Sequence, residues 1–296
     1  MWILLALAAS ICFAVVYLLD EYCIDEVLDK PWMAVITSAT ASIIVFLPLP
    51  YILPFINWQW PPAKIIALGI FSGMLIQVSQ LLYYNALAKT NAGIVATYLN
   101  LTTAILPIVS FILFGTVLTP YQYIGIILLI FASNTMLLAD HNYETRTSAL
   151  FLTIGVSLIQ TAVYLIQDYI YEITSFIVSY FLLTVGLMSV GIFACCLRPI
   201  RQKMYEEKNK ILSSFKLFFG IGCLDLFAIA FAQKSIQIGH PSLVSAIETT
   251  IPGFTFIITF CAISIFGIKY DEKIFSGIGK KFASLSMMIM GVYLVS

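Results

Sequence analysis

The sequence is poor in charged residues: only 10% of its 296 residues are charged, and 15 basic residues balance 15 acidic ones. An average soluble domain carries about 25% charged residues, so the low fraction argues against a soluble protein. A nucleic-acid-binding protein normally has a surplus of Lys and Arg along one face. Because no such surplus or basic stripe exists here, we expect no nucleic-acid partner.

Metal ligands and nucleotide-binding motifs are also scarce. His141 and His240 are the only histidines, and neither has a second ligand at the spacing of a zinc site. The six cysteines lie mostly inside apolar runs and not at the loop spacings of a disulfide framework. The chain has no G-x-x-x-x-G-K-[ST] phosphate-binding loop. We therefore expect no metal, no cofactor and no ATP hydrolysis by this chain.

Apolar residues, by contrast, make up 61% of the sequence, and its mean hydropathy is +0.99. Ten apolar stretches are each long enough for one transmembrane helix of about 20 residues. They cover residues 2–19, 32–56, 63–88, 92–115, 121–139, 149–166, 176–197, 215–233, 242–266 and 274–295. Strands of a membrane barrel would alternate apolar and polar residues, so we predict an all-α integral membrane protein with ten transmembrane helices. No basic segment precedes the first stretch, which is therefore expected to be a retained helix.

Two parts of the chain resemble each other at a separation near half its length. Residues 10–22 align with residues 157–169, and polar residues recur in the same order further along. The corresponding pairs are Tyr17 and Tyr164, Gln77 and Asp225, Asn85 and Gln233, Thr97 and Ser245, and Asn100 and Glu248. Because five is odd, a second set of five helices enters the membrane from the opposite face. We predict two inverted five-helix repeats, residues 1–148 and 149–296, around a central cavity, as in many secondary transporters.

Several segments are similar to a known transporter family. Residues 114–130, FGTVLTPYQYIGIILLI, resemble the segment between helices four and five of EamA-type members of the drug/metabolite transporter superfamily. Residues 84–92, 239–252 and 291–294 resemble its third, ninth and last helices. The resemblance implies a ten-helix transporter of amino acids, sugars, nucleosides or similar metabolites. Thr116 stands where the family usually has glutamate, which leaves the subfamily and the substrate open.

Two carboxyl groups fall inside the predicted hydrocarbon region, on Asp225 and Glu248. A carboxylate at the centre of a membrane helix costs about 2.5–3.5 kcal/mol, so such residues normally face the bundle interior or a wet cavity. We interpret them as a site that binds a cationic or amino group, or that carries a coupling proton. The alternative is a hydrogen bond between helices, made by a protonated acid.

Other polar side chains at helical spacings complete the candidate binding or coupling site. They are Gln77, Gln80, Tyr84, Asn100, Ser245, Tyr17 and Tyr164. For each alone, an interhelical hydrogen bond is at least as good an interpretation, and it is their convergence that we predict. Pro252 deprives a carbonyl of its donor, which predicts a kink beside Glu248. The acidic cluster of residues 20–29 and the basic run of residues 198–210 are interpreted as solvated loops.

These features favour a secondary active transporter or exchanger that is not an enzyme. Its expected partners are a small polar solute, membrane lipid and, as an alternative driving force to counter-exchange, protons. We expect a monomer or weak homodimer, with several membrane spans, in a cell membrane such as the bacterial inner membrane. An integral-membrane enzyme acting on a lipid or prenyl substrate is the alternative, which the acidic cluster supports only loosely. A sensor or scaffold has no specific support.

The orientation of the chain has two conflicting indications. With ten spans, all basic residues except Lys64 and Lys234 follow odd-numbered helices, and the positive-inside rule then puts both termini outside. The resemblance to EamA-type transporters implies both termini inside. The two orientations stay as alternatives.

Overall fold

The computed structural model describes residues 1–28, 30–47, 51, 58–90, 92–138, 147–266 and 277–296. It is 88% helical, with no strands in those ranges. Its helices are α1 (Trp2–Tyr22), α2 (Pro31–Ala41), α3 (Ala63–Leu87), α4 (Ala92–Tyr98), α5 (Leu101–Phe114), α6 (Pro120–Leu138), α7 (Thr147–Tyr171), α8 (Phe176–Cys196), α9 (Arg198–Glu206), α10 (Lys208–Ser213), α11 (Phe215–Ile238), α12 (Pro241–Glu248), α13 (Ile251–Phe266) and α14 (Ile278–Val295). A π turn, Cys23–Val27, follows α1, and a 3-10 turn, Ser42–Phe46, follows α2.

Within these ranges, eight helical stretches are long and apolar enough to cross a membrane. They are Trp2–Val27, Ala63–Leu87, Ile94–Phe114, Thr147–Tyr171, Phe176–Cys196, Phe215–Ile238, Pro241–Ser264 and Ile278–Val295. Pro31–Phe46 is a shorter apolar helix, and part of the second predicted span, residues 48–50 and 52–56, lies outside the described residues. The eight stretches make the chain a multi-pass membrane protein.

Helices from the two halves of the chain interleave. Helix α3 packs on α7 and α8, α1 packs on α11, α12 and α13, and α6 packs on α14. Large apolar side chains such as Ile112, Leu113 and Ile289 are exposed on the outer surface, where a bilayer supplies the apolar surroundings. Small and polar residues instead occupy much of the interior, as expected where helix association depends on close packing and hydrogen bonds.

The contact between α3 and α8 depends on two glycines. A Cβ atom added to Gly73 would lie 2.0 Å from the carbonyl oxygen of Leu183, and one added to Gly186 would lie 2.1 Å from that of Ile70. These distances are far below van der Waals contact, so the two backbones approach each other only because both residues lack a side chain. The close contact holds α3, which carries Gln80, against α8.

Two predicted spans are interrupted near their middle, which corrects the single helices expected over residues 92–115 and 242–266. The first breaks between α4 and α5, and the second between α12 and α13. At each break, a backbone amide donates to the carbonyl of the third preceding residue and not to that of the fourth, as in a regular α-helix. The amide of Asn100 donates to Thr97 O at 3.1 Å, and that of Thr250 donates to Ile247 O at 2.9 Å. The kink predicted at Pro252 coincides with the second break.

Two segments interpreted as solvated loops are helical. The first helix continues beyond residue 19 to Tyr22, so Asp20 and Glu21 lie within it. Residues 198–213 form the short polar helices α9 and α10, where Lys203 lies 3.1 Å from Glu206 in an ion pair. The apolar runs of the sequence end at charged residues, but a helix continues wherever its backbone hydrogen bonds remain favourable. Hydropathy alone therefore does not show where these helices end.

Candidate functional site

A cavity of about 140 Å³ lies at the centre of the bundle, among α1, α3, α4, α5, α7, α11, α12 and α13. A buried water needs about 10–15 Å³ of such cavity volume, so the cavity has room for roughly ten waters or a small organic molecule. Both helix breaks reach the cavity, since Asn100 and Thr249 line it. The interruptions therefore place irregular backbone where a polar cavity can accommodate it.

Eight of the nine site residues predicted from the sequence line this cavity. They are Tyr17, Gln80, Tyr84, Asn100, Tyr164, Asp225, Ser245 and Glu248. Gln77 is not among the lining residues: it is fully buried, and its side-chain nitrogen donates to the carbonyl oxygen of Val35 at 2.6 Å. Gln77 thus joins α3 to α2, as the interhelical interpretation of such a residue predicts.

One end of the cavity, the glutamate end, is formed by Glu248 and Tyr164. The tyrosine hydroxyl donates a hydrogen bond to Oε2 of Glu248. The other carboxyl oxygen, Oε1, is buried and has no hydrogen-bond partner among the described residues. Nearby, the Thr103 hydroxyl donates to the carbonyl oxygen of Ser245 at 2.9 Å, which holds α5 against α12. The glutamate end therefore retains one unused acceptor that faces the bundle interior.

His240 fixes the start of the short helix that carries Glu248. Its Nδ1 accepts a hydrogen bond from the backbone amide of Ser242 at 3.2 Å and caps α12. Burial lowers the pKa of His240, so the ring stays neutral at neutral pH and keeps this acceptor. The cap anchors α12 two turns before Glu248 and so helps to position its carboxyl group.

The opposite end, the aspartate end, is formed by Asp20 and Asp225. The Tyr84 hydroxyl donates to Oδ1 of Asp20 at 3.4 Å, and the Gln80 side chain donates to Oδ2 of Asp225 at 3.3 Å. The Ser38 hydroxyl in turn donates to Gln80 at 3.2 Å. Two carboxyl groups from α1 and α11 are thus held by neutral partners on α3.

Asp20 is a site residue that the sequence reasoning missed. It is only 4% exposed and lines the cavity, whereas the sequence pattern predicts a solvated loop for the acidic cluster that contains it. The alignment of residues 10–22 with 157–169 offers a signal, because it pairs Asp20 with Gln167, an uncharged residue. Gln167 is fully buried.

Aromatic rings connect the two ends of the cavity. Tyr17 lies 5.1 Å from Tyr83 and 6.2 Å from Phe13, measured between ring centroids. It lines the cavity together with Asp20, Asp225 and Glu248. No Lys, Arg or His is among the described residues that line this cavity. Its chemistry is therefore acidic and aromatic.

A second, smaller cavity of about 20 Å³ adjoins the aspartate end. It shares Asp20, Tyr84 and Asp225 with the central cavity, and its other walls include Cys23 and Ser38. By the same measure it has room for one or two waters. The three shared side chains form a thin polar partition between the two spaces.

The described residues contain no group of three or more His, Cys, Asp or Glu side chains that is arranged to hold a metal ion. The three cavity carboxyls therefore do not form a compact cluster. Asp20 and Asp225 lie at one end of the cavity and Glu248 lies at the other.

One protein-family model matches part of the chain. Residues 1–138 match the model of the EamA-like transporter family. Over those residues the chain is similar to a family of the drug/metabolite transporter superfamily. This agrees with the resemblance found in residues 84–92 and 114–130, which lie within the matched range.

Comparison with solved structures supports the fold. One solved crystal structure aligns over 97% of this chain and 97% of its own, with a TM-score of 0.63 and 12% sequence identity. At that identity the likeness shows the fold alone. Comparison with curated proteins gives no match.

Proposed function

We propose that this protein is a secondary active transporter or exchanger that carries a small polar solute through the central cavity by alternating access. The observation that carries the proposal is the cavity itself, because it brings three carboxyl groups together inside a bundle of membrane-spanning helices. Ionisable residues inside the hydrocarbon region of a membrane are costly, and they typically mark substrate, ion or proton pathways. The match of residues 1–138 to a transporter family supports the same function.

We further propose that the bundle has ten spans, arranged as inverted repeats over residues 1–148 and 149–296. Helix α2 with its 3-10 turn, and α6, which is 19 residues long without a charged residue, supply the two spans beyond the eight. If α1, α2, α3 and α6 correspond to α7, α8, α11 and α14, the contact of α1 with α11 repeats as that of α7 with α3. The contact of α2 with α11 likewise repeats as that of α8 with α3.

The two interrupted helices are the elements expected to move. Discontinuous helices that meet at the repeat interface are a recurrent feature of transporter binding sites. Here the breaks at residues 99–100 and 249–250 both border the cavity. Rotation of a half-helix at either break would move Asn100 or Glu248 without unfolding the rest of the span. The driving force is a proton gradient or counter-exchange of a second solute.

The test is solute counterflow into proteoliposomes that contain the purified protein. Labelled amino acids, nucleosides, sugars and amines are offered outside vesicles preloaded with the same unlabelled compound. We expect at least one solute to accumulate transiently, and Glu248→Gln or Asp225→Asn to abolish this exchange. The matched control, Glu172→Gln, removes an exposed carboxylate outside the cavity and should exchange like the wild type.

The alternative of a membrane enzyme makes the opposite prediction in the same vesicles. Product formation from a lipid or prenyl precursor, with no exchange of any solute, would contradict the transport proposal. Full retention of solute affinity and exchange in both cavity variants would contradict the assignment of the site.

A further inference from the structure

The charge of the cavity limits what can bind there. Its described lining contains three carboxyl groups and no Lys, Arg or His. An α-amino acid would bring a carboxylate among these groups without a basic side chain to neutralise it, and buried charges need such partners. A sugar would leave carboxylates unpaired by charge. A solute with positive charge and no negative charge fits this lining best.

The positions of the carboxyl groups limit the shape of that solute. The Ser10 hydroxyl on α1 donates to the carbonyl oxygen of Ile247 at 3.4 Å, so the neighbouring Glu248 lies near the level of Ser10. Asp20 lies ten residues further along the same helix. At 1.5 Å per residue, the two levels are about 15 Å apart along α1. The cavity lining extends along α1 from Phe13 to Asp20, with Asp20 toward one end and Glu248 toward the other.

The space between the ends suits an uncharged linker. Val16, Ile76 and Ile229 contribute apolar surface to the lining, which favours a chain of methylene groups. The ring of Tyr17 stands between the carboxyl groups, and tyrosine faces attract ammonium groups within about 6 Å of the ring centre. The lining therefore combines acidic groups for the two ammonium groups of a diamine with aromatic and apolar surface for its methylene chain.

From this arrangement, and resting on the proposed transport function, we propose that the solute is an extended organic dication, of the α,ω-diamine or polyamine class. One ammonium group binds Glu248 at the glutamate end, and the other binds Asp20 and Asp225 at the aspartate end. Its linker lies along Tyr17 and the apolar wall.

Unused acceptors in the cavity support this assignment. Oε1 of Glu248 is buried without a partner among the described residues, and a buried acceptor of this kind is costly unless a donor reaches it. Thr102 is only 3% exposed and lines the cavity, and its hydroxyl oxygen is likewise unpartnered in that part of the chain. An ammonium group supplies three donors in one small volume. The cavity thus has both the charge and the unused acceptors that such a group requires.

The test is a binding series on the purified full chain in detergent, measured by calorimetry. α,ω-Diaminoalkanes of increasing length are compared with 1-aminoalkanes of the same length. We expect an optimum length, at which the diamine binds at least about tenfold more tightly than the monoamine, the effect of one further charge-assisted hydrogen bond. Equal affinities for the two series, or no optimum length, would overturn the proposal.

Variants at both ends separate a binding role from a folding defect. Glu248→Gln and Asp225→Asn should each reduce diamine affinity to the monoamine level and remove the length optimum, although they act at opposite ends. Glu172→Gln, outside the cavity, should retain both properties. If either cavity variant loses its normal size-exclusion profile, Tyr164→Phe, which keeps the ring but removes the donor to Glu248, takes its place in the series. A length optimum that persists in all correctly folded cavity variants contradicts the proposal.

The same preparation distinguishes this inference from the transport function. Exchange of a sugar, nucleoside or amino acid without any diamine binding would leave transport standing and overturn the dication. Diamine binding with the predicted length optimum, but without counterflow of any solute, would support the site and contradict transport. Neither binding nor exchange of any compound would contradict both.

Discussion

The two ends of the cavity are closed in different ways. Behind the glutamate end lies the largest apolar core of the bundle, in which Ala6, Leu106, Val244 and Ile247 are fully buried. Behind the aspartate end lies the small second cavity, which shares Asp20, Tyr84 and Asp225 with the central cavity. One closure is a layer of packed side chains, and the other is a polar partition held by hydrogen bonds of 3.3 and 3.4 Å.

The difference indicates which end opens more easily from this conformation. Separating a packed apolar layer exposes surface that costs about 25 cal/mol per Å². A single neutral hydrogen bond contributes only about 0.5–1.5 kcal/mol net. We therefore expect the aspartate end to open first, and the glutamate end to open only when α5 and α12 move apart.

The largest expected effect comes from weakening the apolar layer. Leu106→Ala leaves a cavity at a fully buried position of α5 and should lower the free energy of unfolding by about 2–5 kcal/mol. Leu113→Ala, on the same helix but 62% exposed, is the matched control and should change it by less than about 0.5 kcal/mol. Denaturant titration in detergent measures both. Equal effects at the two positions would contradict the packed layer.

The next largest effect is expected at the close contact between α3 and α8, since α3 carries the hydrogen-bond donors of the aspartate end. Gly186→Ala puts a methyl group against the backbone of α3, and overpacking of this kind costs about 1–3 kcal/mol. In the control, Gly220→Ala, the added Cβ atom meets nothing within 4 Å. The melting temperature of this variant should therefore not fall. Thermal unfolding of the two variants side by side gives the comparison. A similar decrease for both would show that α3 and α8 are not in close contact.

A smaller effect should follow from loosening the polar partition. Tyr84→Phe removes the donor to Asp20, and we expect Cys23 beyond the partition to react about fivefold faster with a small thiol reagent. The other five cysteines, Cys12, Cys195, Cys196, Cys223 and Cys261, are replaced first. Tyr121→Phe at the exposed start of α6 is the control. An unchanged rate in Tyr84→Phe would contradict the partition.

The smallest effect is expected at Ser38, whose hydroxyl donates to Gln80, which in turn donates to Asp225. Ser38→Ala should raise the reactivity of Cys23 by no more than about twofold, since the bond it removes is neutral and indirect. Ser286→Ala, at an exposed serine of α14, should leave the rate unchanged. A larger effect for Ser38→Ala than for Tyr84→Phe would reverse the order of the two contacts.

Much of the helical framework could be predicted from the sequence because bilayer thickness fixes the length of an apolar run. The eight candidate spans overlap predicted stretches. The buried carboxyl groups on Asp225 and Glu248 were also recognisable, since charge inside such a run is rare. Asp20 was missed for a related reason: a charged residue at the end of a run is the usual sign that the helix has ended.

The helix breaks and the direction of single side chains could not be predicted in this way. Hydropathy is the same whether Thr250 bonds to the third or the fourth preceding carbonyl, so residues 242–266 read as one span. Gln77 and Gln80 share a helical face in the sequence, but the first donates to Val35 and the second to Asp225. Only the neighbouring helices decide between these partners, and a single sequence does not specify them.

One accessibility measurement tests alternating access to the central cavity most directly. Ser79 lines the cavity, and its hydroxyl donates to the carbonyl of Ile76 on its own helix, so Ser79→Cys in a chain without other cysteines is a mild probe. A membrane-impermeant thiol reagent is applied to oriented vesicles from either side. We predict reaction from both sides, and slower reaction when a transported solute is present. Reaction from one side only, under all conditions, would contradict alternating access.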